Sequence, residues 1–122
     1  MTEPRTVAVF AALAASLAML AACHSYHVDV TVENHTGSAI DQLEIDYPSA
    51  SFGANSLAPG ASLHYRVQLR GSGPLTAQYR ATDGKTVHVD GPTVSEGQEG
   101  QLEIVFTPQG KADFLPRLTP LR

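Results

Sequence analysis

The chain has a single cysteine, no tryptophan and no excess of basic residues. A lone thiol cannot close an intramolecular disulfide, so the fold must rest on packing. Eight Lys and Arg against twelve Asp and Glu give a formal net charge of −4. That balance removes the electrostatic footprint of a nucleic-acid binder. It also leaves no polybasic run to hold anionic lipid. The hydrolase elbow Gly-x-Ser-x-Gly is absent, and so is an Asp-x-Asp-x-Asp-Gly calcium loop. Gly71-Ser72-Gly73 lies between two strand patterns rather than between a strand and a helix, so it is not a phosphate loop. These absences leave no catalytic motif and no cofactor signature, and an enzyme is not expected. At 122 residues the chain holds one domain at most.

What is present begins at the N-terminus. Residues 1–6 are polar, and Val7 to Ala22 is almost wholly apolar and rich in alanine. A permanent membrane span needs ~20 apolar residues. This run is short for that role and has the form of a signal-peptide core. It ends in Leu20-Ala21-Ala22-Cys23. The tetrad resembles the lipobox of bacterial lipoproteins: an aliphatic residue, a small residue, Ala or Gly, then Cys. All four positions match, and the only cysteine of the chain occupies the last. The resemblance covers the first fifth of the sequence. It implies cleavage between Ala22 and Cys23, a diacylglyceryl thioether on Cys23, and acylation of the new amino group. It also implies that 1–22 is a cleaved signal peptide, expected as a helix, and that 23–25 is a lipidated anchor with a short tether. One acyl chain binds a bilayer only marginally, at ~0.8 kcal/mol per buried CH₂, but two or three hold durably. In Gram-negative lipoproteins an aspartate after the cysteine tends to retain the protein in the inner membrane. His24 stands there instead, so the resemblance favours the periplasmic face of the outer membrane.

After the cysteine the pattern has a period of two. Tyr26, Val28, Val30 and Val32 alternate with His27, Asp29, Thr31 and Glu33, which reads as a half-buried strand. Asn34-His35-Thr36-Gly37 supplies a turn. Ile40 to Tyr47 follows, with Leu43, Ile45 and Tyr47 on one face and Gln42, Glu44 and Asp46 on the other. Ser51 to Leu57 is a weaker strand, and Ala58-Pro59-Gly60 a tight turn. Ser62 to Arg70 places Leu63, Tyr65, Val67 and Leu69 inward. Leu75 to Ala81 and Lys85 to Asp90 flank Asp83-Gly84, a two-residue hairpin signal. Gly91 to Gly100 reads as polar loop, and Gln101 to Thr107 closes the set. The expectation is an all-β domain over 26–108, an antiparallel β-sandwich of about seven strands and immunoglobulin-like size. A small barrel is the alternative. The core Trp and disulfide of immunoglobulin domains are missing, so the expectation concerns architecture alone. Residues 109–122, with Pro116 and Pro120, read as an extended C-terminal tail. Asn-x-Thr-Gly after the first strand and Leu-Ala-Pro-Gly before another are similar to small uncharacterised bacterial β-sandwich lipoproteins, a likeness of fold more than of activity.

Three side-chain groups carry candidate chemistry. His24, His27, His64 and His88 would form a metal site if their strands lay in one sheet and their rings converged, since zinc-type sites take three or four ligands. Without convergence they are polar residues at solvent-facing positions. Asp41, Glu44 and Asp46 form an acidic group, best read as a solvated strand face. The tyrosines Tyr26, Tyr47, Tyr65 and Tyr79 fall on apolar faces, which suits core packing with the hydroxyl at the rim. Phe52, beside Gly53, and Phe114 are the expected exposed aromatic contacts. The functional expectation is a membrane-anchored envelope lipoprotein acting as a non-catalytic interaction or structural module. Its partners would be the membrane, through lipid on Cys23, and an envelope protein. Metal binding through the surface histidines is the second expectation.

Overall fold

The computed structural model describes residues 25–120. Over that range the chain forms eight strands and no helix. They are β1 (Val28–Asn34), β2 (Ile40–Tyr47), β3 (Ala50–Leu57), β4 (Ser62–Val67), β5 (Gly73–Arg80), β6 (Thr86–Val94), β7 (Gly100–Thr107) and β8 (Lys111–Leu118). Two four-stranded sheets result, ordered β4-β1-β7-β8 and β3-β2-β5-β6. The all-β sandwich expected from the alternating pattern is the architecture present, and it is not a barrel. Residues 1–22, expected as a signal helix, lie outside the described residues.

The core comes mainly from the central strands of each sheet. Val28, Val30 and Val32 of β1 and Leu102, Ile104 and Phe106 of β7 meet Ile40, Leu43 and Ile45 of β2 and Leu75, Ala77 and Tyr79 of β5. Tyr79 meets Phe106 edge-on across the sheets, with ring centroids 5.0 Å apart. The alternation of period two places these residues on one face of each strand. The two sides of the sandwich are closed by aromatics from edge strands. At one side Phe52 of β3 stacks on Tyr65 of β4, with centroids 4.6 Å apart and planes 1° from parallel. At the other, Phe114 of β8 lies over Gly91 of β6, where a Cβ would come within 2.7 Å of the ring.

Several details differ from the sequence reading. Lys111 to Leu118, expected in a tail, pairs along its length with β7 as an eighth strand. Pro116 does not prevent this, because an edge strand needs donors on one side only. The ordered domain therefore runs past residue 108. β1 and β7 pair in parallel, so the sandwich is not wholly antiparallel. The strand expected over Ser62 to Arg70 ends at Val67, and β6 continues through Gly91-Pro92 to Val94. The Asp83-Gly84 hairpin closes between Ala81 and Lys85, so three residues rather than two form its loop.

Asn34 is the one buried polar residue among those described. Its side-chain amide donates to the carbonyls of Ser38 at 2.8 Å and Leu57 at 2.9 Å. Its carbonyl oxygen accepts from the backbone N–H and the hydroxyl of Thr36. Its own backbone bonds to Ala61 and Gly60. One side chain thus ties the end of β1 to the loop that enters β2 and to the end of β3, linking the two sheets. Burial of an amide requires this full satisfaction.

Candidate functional site

Strand direction sorts the loops into two ends. β1 starts beside Ser25-Tyr26-His27, and the backbone N–H of Gly100 donates to the carbonyl of His27 at 3.2 Å. The chain is therefore fixed to the sheet from His27 onward. The turns at 48–49, 68–72 and 95–99 share this end, and those at 35–39, 58–61, 81–85 and 108–110 share the opposite one. With strands of about eight residues, the ends stand roughly 25 Å apart. A shallow hollow of about 470 Å³ opens at the far end, lined in part by Ser38, Thr82, Lys85 and Gln109.

Among the described residues, His27, His64 and His88 do not come together. His64 lies on β4, on the outer face of the first sheet, where its Nδ1 is 3.1 Å from the hydroxyl of Thr31. His27 precedes β1 in the same sheet. His88 lies on β6 of the second sheet, with its Nε2 3.2 Å from Asp90. The two outer faces look in opposite directions, so His64 and His88 cannot share a ligand. Between His27 and His64 stands the Arg66–Asp29 ion pair, at 3.0 Å. Among the described residues no group of three or more His, Cys, Asp or Glu is placed to hold a metal ion. His24, Cys23 and Ala22 lie outside the described residues. Among the described residues no helix is long and apolar enough to cross a membrane.

The aromatic expectations need correction. Phe52 is buried, and Phe114 is half-buried against Gly91. Tyr65 faces inward as its pattern says, yet is 49% exposed, because β4 is an edge strand and its ring caps the side of the sandwich. Tyr26 is also exposed. Tyr79 is buried, and burial raises its hydroxyl pKa above the ordinary 10.0. Tyr47 is raised by burial and, less strongly, by the neighbouring Tyr65 hydroxyl.

The acidic group lies on the outer face of the second sheet, and the registry there is distinctive. Across from Asp46, Glu44 and Asp41 of β2 stand Ser51, Gly53 and Ser56 of β3. Between each acid and the sheet edge stands a residue with little or no side chain. Gly53 is obligatory: a Cβ there would sit 1.9 Å from the carbonyl oxygen of Leu43. Only glycine permits so close an approach of β3 to β2. Glu44 accepts a hydrogen bond from the Gln78 amide at 3.0 Å through one oxygen. Gln42 adopts a left-handed φ of 50°, and the pairing of β2 with β5 shifts between Asp41 and Glu44. That bulge explains why Ile40 and Leu43, three residues apart, both point inward. A hollow of about 480 Å³ lies on this face, over Glu44, Gly53, Asn55 and Gln78.

The sequence reads Ser51 to Leu57 only as a weak strand. The signal it carries is compositional: Ala-Ser-Phe-Gly-Ala-Asn-Ser-Leu has no charge and no proline. That signal acquires meaning only when the strand is known to be at an edge.

No protein-family model and no curated protein matches the sequence. Among solved structures, an NMR structure of a protein from Eubacterium rectale superposes with a TM-score of 0.54 at 8% identity. The match covers 75% of this chain and 88% of that one. At that identity the likeness speaks to fold alone.

Proposed function

We propose that the chain is a lipid-anchored envelope lipoprotein whose β-sandwich serves as a non-catalytic interaction module. The observation that carries this reading is Leu20-Ala21-Ala22-Cys23 at the end of an apolar run, so close to a sheet. Only His24, Ser25 and Tyr26 separate the cysteine from His27, where backbone pairing begins. At ~3.5 Å per extended residue that tether reaches about 10 Å. A domain so tethered rides close to the bilayer and meets partners within the same membrane or just above it. Two or three acyl chains on one residue suffice to keep it there. His24 after the cysteine favours the outer membrane of a Gram-negative cell. The described hollows are open faces rather than enclosed clefts, which suits docking more than chemistry. His64 and His88, on opposite outer faces, give no support to a metal site shared by both.

Metabolic labelling tests the anchor. The wild-type chain is expected to take up radioactive palmitate and to lose its first residues. Cys23→Ala is expected to remain unprocessed and unlabelled. Normal labelling of that variant would refute the reading.

A further inference from the structure

Each sheet exposes two edges, and a bare edge invites pairing with another strand. Three of the four carry the usual deterrents. β8 has Lys111, Asp113, Pro116 and Arg117. β6 has Asp90, Pro92 and an irregular register against β5. β4 is the shortest strand and carries His64 and Arg66. β3 spans Ala50–Leu57 with no charge and no proline. Its neighbours also have chemistry to offer on both faces. On the outer face, Asp46 and Glu44 stand in register with Ser51 and Gly53, so no bulky side chain lies between them and the free edge, although one oxygen of Glu44 is taken by Gln78 on the other side. A strand added beside β3 would lie two strand spacings from β2, roughly 10 Å. A lysine or arginine and a carboxylate can span that gap when no side chain stands between them. On the inner face, the half-exposed ring of Tyr65 lies stacked on Phe52 beside the same edge.

We infer that β3 is a docking edge that receives, as an added strand, an extended segment of a partner protein alternating basic and apolar residues. The backbone of β3 supplies the pairing, Glu44 and Asp46 select the basic positions, and Tyr65 packs the apolar ones. A second copy of this chain is the poorer occupant, because its β3 carries no basic residue for the acids to select. The inference deepens the interaction reading above and rests on it for its biological setting, but the docking itself needs no lipid.

The test uses the full chain purified in detergent and two peptides of about ten residues, long enough to span one strand. One alternates Val and Lys, the other Val and Glu. Amide hydrogen exchange of the protein is read with each. The Val-Lys peptide is expected to slow exchange in β3, and the Val-Glu peptide to leave it unchanged. Glu44→Gln and Asp46→Asn are each expected to weaken Val-Lys binding by about threefold, in line with single cross-strand charge pairs. Ser51→Lys, which adds a charge to the edge, is expected to abolish the preference for the basic peptide. Equal binding of the two peptides overturns the inference, as does protection of β4, β6 or β8 in place of β3. Concentration-dependent protection of β3 without any peptide also overturns it, by assigning the edge to a second copy. Palmitate labelling of the same preparation keeps the two readings apart. Docking by an unlabelled wild-type chain removes the anchor and leaves the edge. Labelling without docking does the reverse.

Discussion

In the sheet β4-β1-β7-β8 every pairing keeps a constant register, whereas in β3-β2-β5-β6 two of the three pairings shift. Both outer faces carry local partners, Arg66 with Asp29 and His64 with Thr31 on the first, Gln78 with Glu44 and His88 with Asp90 on the second. The edge strands of the first sheet carry charges and a proline. The second sheet holds the left-handed Gln42, the crowded Gly53 and an edge strand with no deterrent. Irregular strands and bare edges cost stability or invite aggregation, and they persist where they serve a purpose. The contrast leaves the sheet that holds β1 regular and puts the proposed docking edge on the irregular one.

If the sheets differ only in their outer features, damage to the shared core should unfold both at once. Phe106→Ala removes a ring with no exposed surface, packed on Tyr79 from the opposite sheet. A loss of about 4 kcal/mol in denaturant unfolding is expected, in one transition. Two separated transitions would mean that the sheets are independent. Asn34→Ala should come next, at about 3 kcal/mol, because it removes the amide donor to the Leu57 carbonyl and the acceptor of the Thr36 N–H, and leaves the Ser38 carbonyl with the Thr36 hydroxyl alone.

Gly53→Ala sharpens the comparison, since its clash lies within the second sheet alone. About 2 kcal/mol of destabilisation is expected, within the range for named backbone effects. Hydrogen exchange should speed up in β2 and β3 while β1 and β7 keep their protection. Alkaline pH should also act through the second sheet. Tyr47 and Tyr79 both belong to it, and both hold their protons more tightly when folded than at the ordinary 10.0. Below that pH both states keep the phenol proton. Above it the unfolded chain releases the proton first, so stability falls until the folded phenols ionise as well. Tyr79→Phe should flatten that fall in an alkaline stability titration. The smallest effect belongs to the first sheet: Asp29→Asn should cost about 0.5 kcal/mol or less and fade in salt, because both partners are more than half exposed.

Much of the sandwich was legible in the sequence because alternation and turn residues are local signals. Val28-Val30-Val32 and Leu102-Ile104-Phe106 announce buried faces without help from the rest of the chain. β8 was not legible, because Pro116 and Pro120 look like strand breakers until an edge position is known. The same limit hid the roles of Phe52 and Tyr65. Both depend on which strands are outermost, a property of the whole topology. His27, His64 and His88 could be named from the sequence, but not the placement of His88 on the other sheet. The acids Asp41, Glu44 and Asp46 were visible as a group. Their placement across from Ser56, Gly53 and Ser51 required the register.

Site-specific photocrosslinking in living cells tests most directly whether the second sheet is the contact surface of an anchored protein. A photoreactive residue would replace Ser51 on β3 or Arg117 on β8, in the wild-type chain and in Cys23→Ala. The account predicts one discrete adduct with an envelope protein from position 51, none from position 117, and loss of the adduct when the anchor is removed. Equal adducts from both strands, or an adduct from 117 alone, would contradict it.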